Sequence, residues 1–417
     1  MRSLAWLPHA IFAAGCALVY RFTYDDAYIY LRVLHGPPLA GNGVASYAWV
    51  LFGALGPVGL KVASFLSGIV LLRIVQSAAG TGAACVVACF PGAWLHGVSG
   101  METMAAAALL AAVYRFRDDP VMASAFAVGA GLIRIEVGCA ALILVPPRHW
   151  RHALFASIVL ALYVVAIQAA VGPYAPAITK LSQHHLGVGS VAKACAALGA
   201  VLAVPALAHR VRWVWLMRQR EWIAVGAFLV VISIPRHLGG YGHRLVWPVV
   251  PLVILLMAPV LWRKRWATAV AVLVAIALST PTVTYARWYA RGIEAHHALA
   301  AHLKAEGVTR IAATDVGILA YESAAETLDL LGLTSTGHPA APWTVANFSP
   351  ERIILILDKP GGQPRLAWER PVWWAMTNQG LDAYNPGRWV KAGEWIFSER
   401  FVLSEWETEW AWRVRER

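Results

Sequence analysis

Long apolar runs, broken by charged residues or by Gly and Pro, dominate the first 286 residues of the chain. A helix of about 20 residues crosses a hydrocarbon core of roughly 30 Å. On that pattern, spans are expected near residues 4–20, 47–73, 82–97, 102–116, 120–133, 136–147, 153–171, 190–208, 221–235, 246–262 and 267–286, about eleven passes. Gly56-Pro57 is expected to divide the second span into two legs, and 120–147 reads as two short helices meeting near Arg134 and Glu136. Broken helices are tolerated in a bilayer only where protein or a water-filled cavity shields the backbone, so both breaks hint at a cavity. The first span lacks a small-residue cleavage site and runs directly into Tyr24-Asp25-Asp26, which predicts a retained helix rather than a signal peptide.

From residue 287 the pattern changes. A helical stretch at Ile293–Glu306 leads into β-like runs at Arg310–Thr314, Thr327–Leu331 and Arg352–Leu357, which predict a small α/β domain. Trp389–Val414 alternates aromatic or apolar with polar residues, as the strands of an antiparallel hairpin do. The expected organisation is therefore a polytopic α-helical membrane domain, 1–286, whose first outer loop is 21–46, and an extracytoplasmic α/β domain, 287–417.

Composition excludes a soluble globular chain: of 417 residues, 59% are hydrophobic and 14% charged. The net charge of +12 would suggest a nucleic-acid partner, but its distribution argues against one. Residues 1–286 hold 21 Lys plus Arg against 7 Asp plus Glu, whereas residues 287–417 hold 14 against 16. The basic excess gathers in short loops at Arg148–Arg151, Arg210–Arg220 and Arg263-Lys264-Arg265, which the positive-inside rule places in the cytoplasm. An inside N-terminus and an odd number of passes then put 21–46, 172–189, 236–245 and everything after 286 outside. The cysteines, Cys16, Cys85, Cys89, Cys139 and Cys195, all fall in or beside apolar runs, so no disulfide framework is implied.

The few membrane-region acids are informative: Asp25, Asp26, Glu102, Asp118, Asp119, Glu136 and Glu221. Asp118 and Asp119 open an inside-facing helix and read as caps, and Glu221 belongs to a basic loop. Asp25, Asp26, Glu102 and Glu136 map to the outer edge, together with Arg32, Arg134, Arg236, Arg244 and His243. Ionisable groups at that depth are costly and pair with one another or face a polar cavity. Arg forks bind phosphate oxygens in bidentate fashion, so the cationic set suits a lipid phosphate. The residues by themselves equally allow Asp25-Asp26 as a helix-end cap with Arg32 as its ion-pair partner, Glu102 as a cap, and Arg134 with Glu136 as a mutual pair.

Tyr24-Asp25-Asp26-Ala27-Tyr28-Ile29-Tyr30-Leu31-Arg32, followed by Gly41-Asn42-Gly43-Val44, resembles the first outer loop of GT-C glycosyltransferases, in particular the terminal arabinofuranosyltransferases of mycobacterial cell-wall assembly and their uncharacterised relatives. Asn42 stands where that family has His. Ser99-Gly100-Met101-Glu102-Thr103 is similar to the family's Ser-Gly-Leu-Glu-Thr, and Leu132-Ile133-Arg134-Ile135-Glu136 to its Leu-Thr-Arg-Pro-Glu. Gly242-His243-Arg244-Leu245 with Pro248 and Pro251 resembles a Gly-Arg-Phe-Leu-x-Pro segment. Asp315–Thr334 is similar to a stretch with Gly-x-x-x-Tyr and Asp-Leu-x-Gly-Leu. The loop between Gly43 and Trp49 is shorter than the family's and lacks its Glu-Gly-Tyr-Thr stretch.

The resemblance implies a GT-C fold in the inner membrane, a polyprenyl-phosphate sugar donor, a glycan or lipid acceptor on the outer face, and a carboxylate base from the first loop. Asp25 is the expected base, with Asp26 as its orienting neighbour or as the base itself. Arg244, Arg134, Arg32 and His243 are expected at the donor phosphate, and Glu102, Glu136, Tyr28 and Asn42 around the cavity. A divalent cation bridging Asp25 and Asp26 is conceivable, but two carboxylates are too few to assign a metal. A transporter would also carry intramembrane charges and broken helices, and a non-catalytic assembly scaffold would need Asp25-Asp26 only as a cap.

Overall fold

A computed structural model describes residues 4–35, 46–171, 195–196, 198–202, 221–233, 244, 246–261, 265–314, 316–330, 345, 347–357, 389–398 and 401–408. The principal helices are α1 (Leu7–Leu18), α2 (Asp26–His35), α3 (Gly56–Cys89), α4 (Thr103–Arg115), α5 (Pro120–Ile133), α6 (Ile135–Leu144), α7 (Trp150–Val171), α8 (Glu221–Ser233), α9 (Val250–Leu261), α10 (Arg265–Ala305) and α11 (Val316–Ser323). The strands are β1 (Arg310–Ala313), β2 (Glu326–Asp329), β3 (Arg352–Leu357), β4 (Trp389–Ser398) and β5 (Phe401–Thr408). The chain divides into two compact units, one of residues 1–22, 45–170 and 181–287 and one of residues 23–44, 171–180 and 288–417. Most of the loop 21–46, attached by sequence to the membrane region, thus groups with the C-terminal residues.

Three helical stretches in the described residues are long and apolar enough to cross a membrane: Tyr47–Cys89, Pro147–Ile167 and Arg265–Ala305. Two sequence-predicted breaks are present. A 3-10 turn, Leu51–Leu55, precedes Gly56, whose φ of 70° no β-carbon-bearing residue adopts readily, and α3 starts there with Pro57 in its first turn. Arg134 (φ −152°, ψ 116°) is extended and separates α5 from α6.

Other boundaries differ from expectation. The break expected between 73 and 82 is a kink at Gly80 (φ 88°) inside α3. The polar residues just before it do not end the helix because they find partners: Arg73 donates to Gln76 at 3.3 Å, and Gln76 donates to the Ala5 carbonyl at 2.8 Å. The segment 82–97 is not one span, since Phe90-Pro91-Gly92 ends α3 and a short helix, Ala93–Val98, follows. The last span does not stop at 286. It continues through Pro281 and Arg287 as α10 for 41 residues, absorbing the helix expected at 293–306, and ends in a Schellman motif at Gly307 (φ 70°). Most of the span expected at 190–208 lies outside the described residues.

The first unit packs through small residues. Ala105–Ala108, Ala111 and Ala112 of α4 are buried, and α4 contacts α3 and α5. A β-carbon on Gly138 of α6 would collide with the Gly131 backbone of α5, so the two helices approach as closely as glycine allows. In the second unit β1, α11 and β2 form a parallel β-α-β unit, and β3 joins β1 in parallel on its other side. The β4–β5 hairpin adds antiparallel to β3, giving the order β2-β1-β3-β5-β4. β3 reads Arg-Ile-Ile-Leu-Ile-Leu and β1 Arg-Ile-Ala-Ala, continuous apolar runs suited to sheet interiors.

Candidate functional site

In the second unit, α2 lies along α11. Asp25, Tyr28 and Arg32 recur at i, i+3 and i+7, so they share one helical face. The buried Asp25 carboxylate accepts the Gly317 amide at 2.8 Å and the Ile318 amide at 2.7 Å, satisfying two of the donors that open α11. At the other end of α11, Arg32 is 2% exposed and donates through Nη1 to the Ala320 carbonyl and through Nη2 to the Ala325 carbonyl at 2.8 Å. An anion at the N-terminus and a cation at the C-terminus both favour the helix dipole, so α2 clamps α11 electrostatically. Burial pulls the Arg32 guanidinium below its usual range. A β-carbon on Gly317 would overlap the Asp25 carbonyl oxygen, which explains glycine at that position.

Tyr28 stands between the two ends. Its hydroxyl is 3.3 Å from His297 Nε2, and His297 Nδ1 is 2.8 Å from the Glu322 carboxylate, a relay from α2 through α10 to α11. Burial first, then the negative charges of Glu322 and Asp25, raises the Tyr28 phenol above its ordinary range. Asp26 opens α2 and is exposed.

In the first unit Arg134 and Arg244 each lie beside a glutamate. Arg134, 3% exposed, donates from Nε to Glu136 Oε1 at 2.6 Å and from Nη2 to the same oxygen. Its Nη1 is buried and, among the described residues, has no hydrogen-bond partner. Glu102 is fully buried, and its Oε1 lies 3.6 Å from Arg244 Nη2. Hydrogen bonds staple the loops that carry these residues. Ser46 Oγ donates to the Leu132 carbonyl at 3.4 Å and accepts from the Trp49 amide at 3.1 Å. Trp49 Nε1 donates to the Gly100 carbonyl at 2.9 Å. Trp247, three residues after Arg244, is buried against Phe90 and His96 and donates to the Met104 sulfur at 3.1 Å.

The sequence-predicted residues therefore fall in two groups. Asp25, Asp26, Tyr28 and Arg32 belong to the α2–α11 assembly, and Glu102, Arg134, Glu136 and Arg244 to the stapled loops. Asp25 is a cap of a helix 292 residues distant. Arg32, expected at a phosphate or paired with Asp25, instead has both terminal nitrogens on backbone carbonyls. Asn42, His243 and Arg236 lie outside the described residues. His297 and Glu322 escaped the sequence reading. Their one signal was position: Glu322 follows the Gly317-x-x-x-Tyr321 match, and His297 sits on the helix leading into it.

A family described as "Domain of unknown function (DUF8728)" matches residues 282–412. No match is found among curated proteins. Two crystal structures of ArnT from Cupriavidus metallidurans, one bound to undecaprenyl phosphate and one in the apo state, are similar in fold at a TM-score of 0.55 and 13% identity. Each alignment covers 97% of this chain and 98% of ArnT. The chain thus shares the fold of ArnT over almost its whole length, and three of its described helical stretches are long and apolar enough to cross a membrane.

Proposed function

We propose that the chain is an integral membrane glycosyltransferase, moving a sugar from a polyprenyl-phosphate donor to a glycan or lipid acceptor of the cell envelope. The observation that carries the reading is Arg134: a buried guanidinium, aligned by Glu136, with one nitrogen that the described residues leave without a hydrogen-bond acceptor. A buried donor of this kind suits an anionic ligand. The likeness to ArnT, whose crystal structure holds undecaprenyl phosphate, supports a lipid phosphate as that anion.

The acceptor hydroxyl attacks the anomeric carbon as the bond from that carbon to the phosphate oxygen breaks. The bonding electrons leave with the lipid phosphate, and the hydroxyl proton passes to a carboxylate. Asp26 is the proposed base, because it is exposed while the Asp25 carboxylate is engaged by amides; Asp25 positions the segment. Arg134 and Arg244 are proposed to stabilise the negative charge gathering on the phosphate, each oriented by its glutamate, Glu136 and Glu102. Arabinofuranose is one candidate sugar, on the strength of the first-loop resemblance. The setting proposed is the inner membrane, with about eleven spans and the α/β unit outside.

The test is sugar transfer from a panel of polyprenyl-phosphate donors by the wild type, Asp25→Asn and Asp26→Asn in nanodiscs. Transfer by the wild type, lost in an Asp26→Asn variant that remains folded, supports the reading. A folded wild type that transfers from no donor refutes it.

A further inference from the structure

The turn between α4 and α5 and the turn between α6 and α7 meet at one end of the first unit, where Arg148 Nη2 lies 2.6 Å from Asp118 Oδ1. Between them is a cavity of about 340 Å³ lined by Arg117, Asp118, Pro146, Pro147 and Arg148. Its lining carries two arginines against one aspartate, and Arg115 and Arg151 flank the lining residues along the chain. Asp119 is spent capping α5 through the Val121 and Met122 amides, at 3.0 and 3.1 Å, and Asp118 is matched by Arg148. Among the described residues no carboxylate pairs with Arg115, Arg117 or Arg151.

Those three arginines lie over aromatic rings, and Arg117 Nη1 also donates to the Tyr114 carbonyl at 3.0 Å, leaving its other N–H groups for a ligand. The Arg117 guanidinium carbon is 4.2 Å from the Tyr114 ring centre, Arg115 is 5.4 Å from Phe116, and Arg151 is 5.6 Å from Trp150. A guanidinium held over a ring face keeps N–H groups in its plane available to phosphate oxygens. Apolar surface begins immediately beside this charge. Trp150, Leu154, Phe155, Ile158, Leu162 and Val165 of α7 are all exposed, a stripe at helical spacing along a helix apolar enough to cross a membrane.

We infer that this cavity binds the phosphate head group of an anionic phospholipid whose acyl chains lie along the exposed face of α7. A soluble phosphate would use the arginines and gain nothing from the stripe, and a zwitterionic lipid would gain little from the uncompensated charge. None of these residues belongs to the set proposed for sugar transfer, so the site stands apart from that reaction.

The experiment is native mass spectrometry of the delipidated full chain titrated with phosphatidylglycerol, with phosphatidylcholine, and with phosphatidylglycerol in the presence of millimolar inorganic phosphate. The wild type is expected to bind phosphatidylglycerol at least about tenfold more tightly than phosphatidylcholine, with no displacement by phosphate. Arg117→Gln and Arg151→Gln are each expected to weaken phosphatidylglycerol binding about fivefold. Arg117→Lys is expected to keep only part of it, since the charge remains but the planar fork is lost, and Arg73→Gln, elsewhere on the surface, all of it. Arg151 is exposed, so its variant reads the charge without risk to the core. Equal affinity for the two lipids overturns the inference, as does unchanged binding by folded Arg117→Gln and Arg151→Gln. Displacement by inorganic phosphate also overturns it and reassigns the cavity to a soluble anion.

Discussion

Asp25 and Gly317 are bound as acceptor and donor across a 2.8 Å hydrogen bond, and the glycine has no β-carbon because the Asp25 backbone occupies that space. One position is chosen for its charge and the other for its lack of bulk, and neither choice makes sense without its partner.

Asp25→Ala is therefore expected to destabilise the second unit by about 1–3 kcal/mol, the cost of leaving buried amides without an acceptor. Gly317→Ala should cost at least as much, because α2 must shift to admit the methyl group. Once either change has separated the helices the other matters less, so the double variant should lose less than the sum. Thermal unfolding in detergent with limited proteolysis measures all three. Strict additivity would show that the two residues do not act through one contact.

Asp26→Asn separates chemistry from stability. Asp26 is exposed, so Asn in its place should lower the unfolding temperature far less than Asp25→Ala does, while transfer falls about 10²-fold or more. Single-turnover assays with saturating donor read the chemical step directly. Retained transfer would remove Asp26 as the base.

The Arg134–Glu136 pair predicts an asymmetry. Glu136→Gln leaves a buried guanidinium without its counter-ion and should destabilise the first unit by about 3–5 kcal/mol. Replacing both residues with apolar ones of similar size, Arg134→Met with Glu136→Leu, should recover most of that loss while donor binding stays abolished. A double variant no more stable than Glu136→Gln alone would contradict the assignment.

Tyr28 predicts an alkaline effect. Its phenol keeps a proton in the folded state above the pH at which it would lose it in the unfolded chain, because burial raises it. That contribution is present in full below about pH 10 and is lost as pH rises beyond it. Tyr28→Phe has no proton to lose, so its unfolding temperature should fall less than that of the wild type above about pH 10. Parallel curves would show that Tyr28 titrates normally.

Local signals explain what was legible in the sequence. The breaks at Gly56 and Arg134, the strands from Arg310 to Leu357 and the hairpin beginning at Trp389 were readable because each follows from neighbours along the chain. Asp119 was recognisable as a cap because the amides it accepts lie two and three residues on. Asp25 performs the same kind of work for amides far away in sequence, and an acidic side chain carries no mark of which helix it will face. The 41-residue length of α10 was hidden for a related reason. Pro281 and Arg287 look like an end until the helix is seen to serve one unit with its first half and the other with its last.

The 292-residue separation of Asp25 from Gly317 also sets an order in time. At translation rates of about 5–20 residues per second, α2 leaves the ribosome roughly 15 to 60 s before the helix it clamps. Throughout that interval Asp25 and Arg32 have only water, lipid head groups or chaperones to meet their charges, and the first loop must be kept from settling on a wrong partner. Shortening the chain before residue 325 would make that waiting state permanent, so the segment around Gly317 works as a late-made clasp on a loop made early.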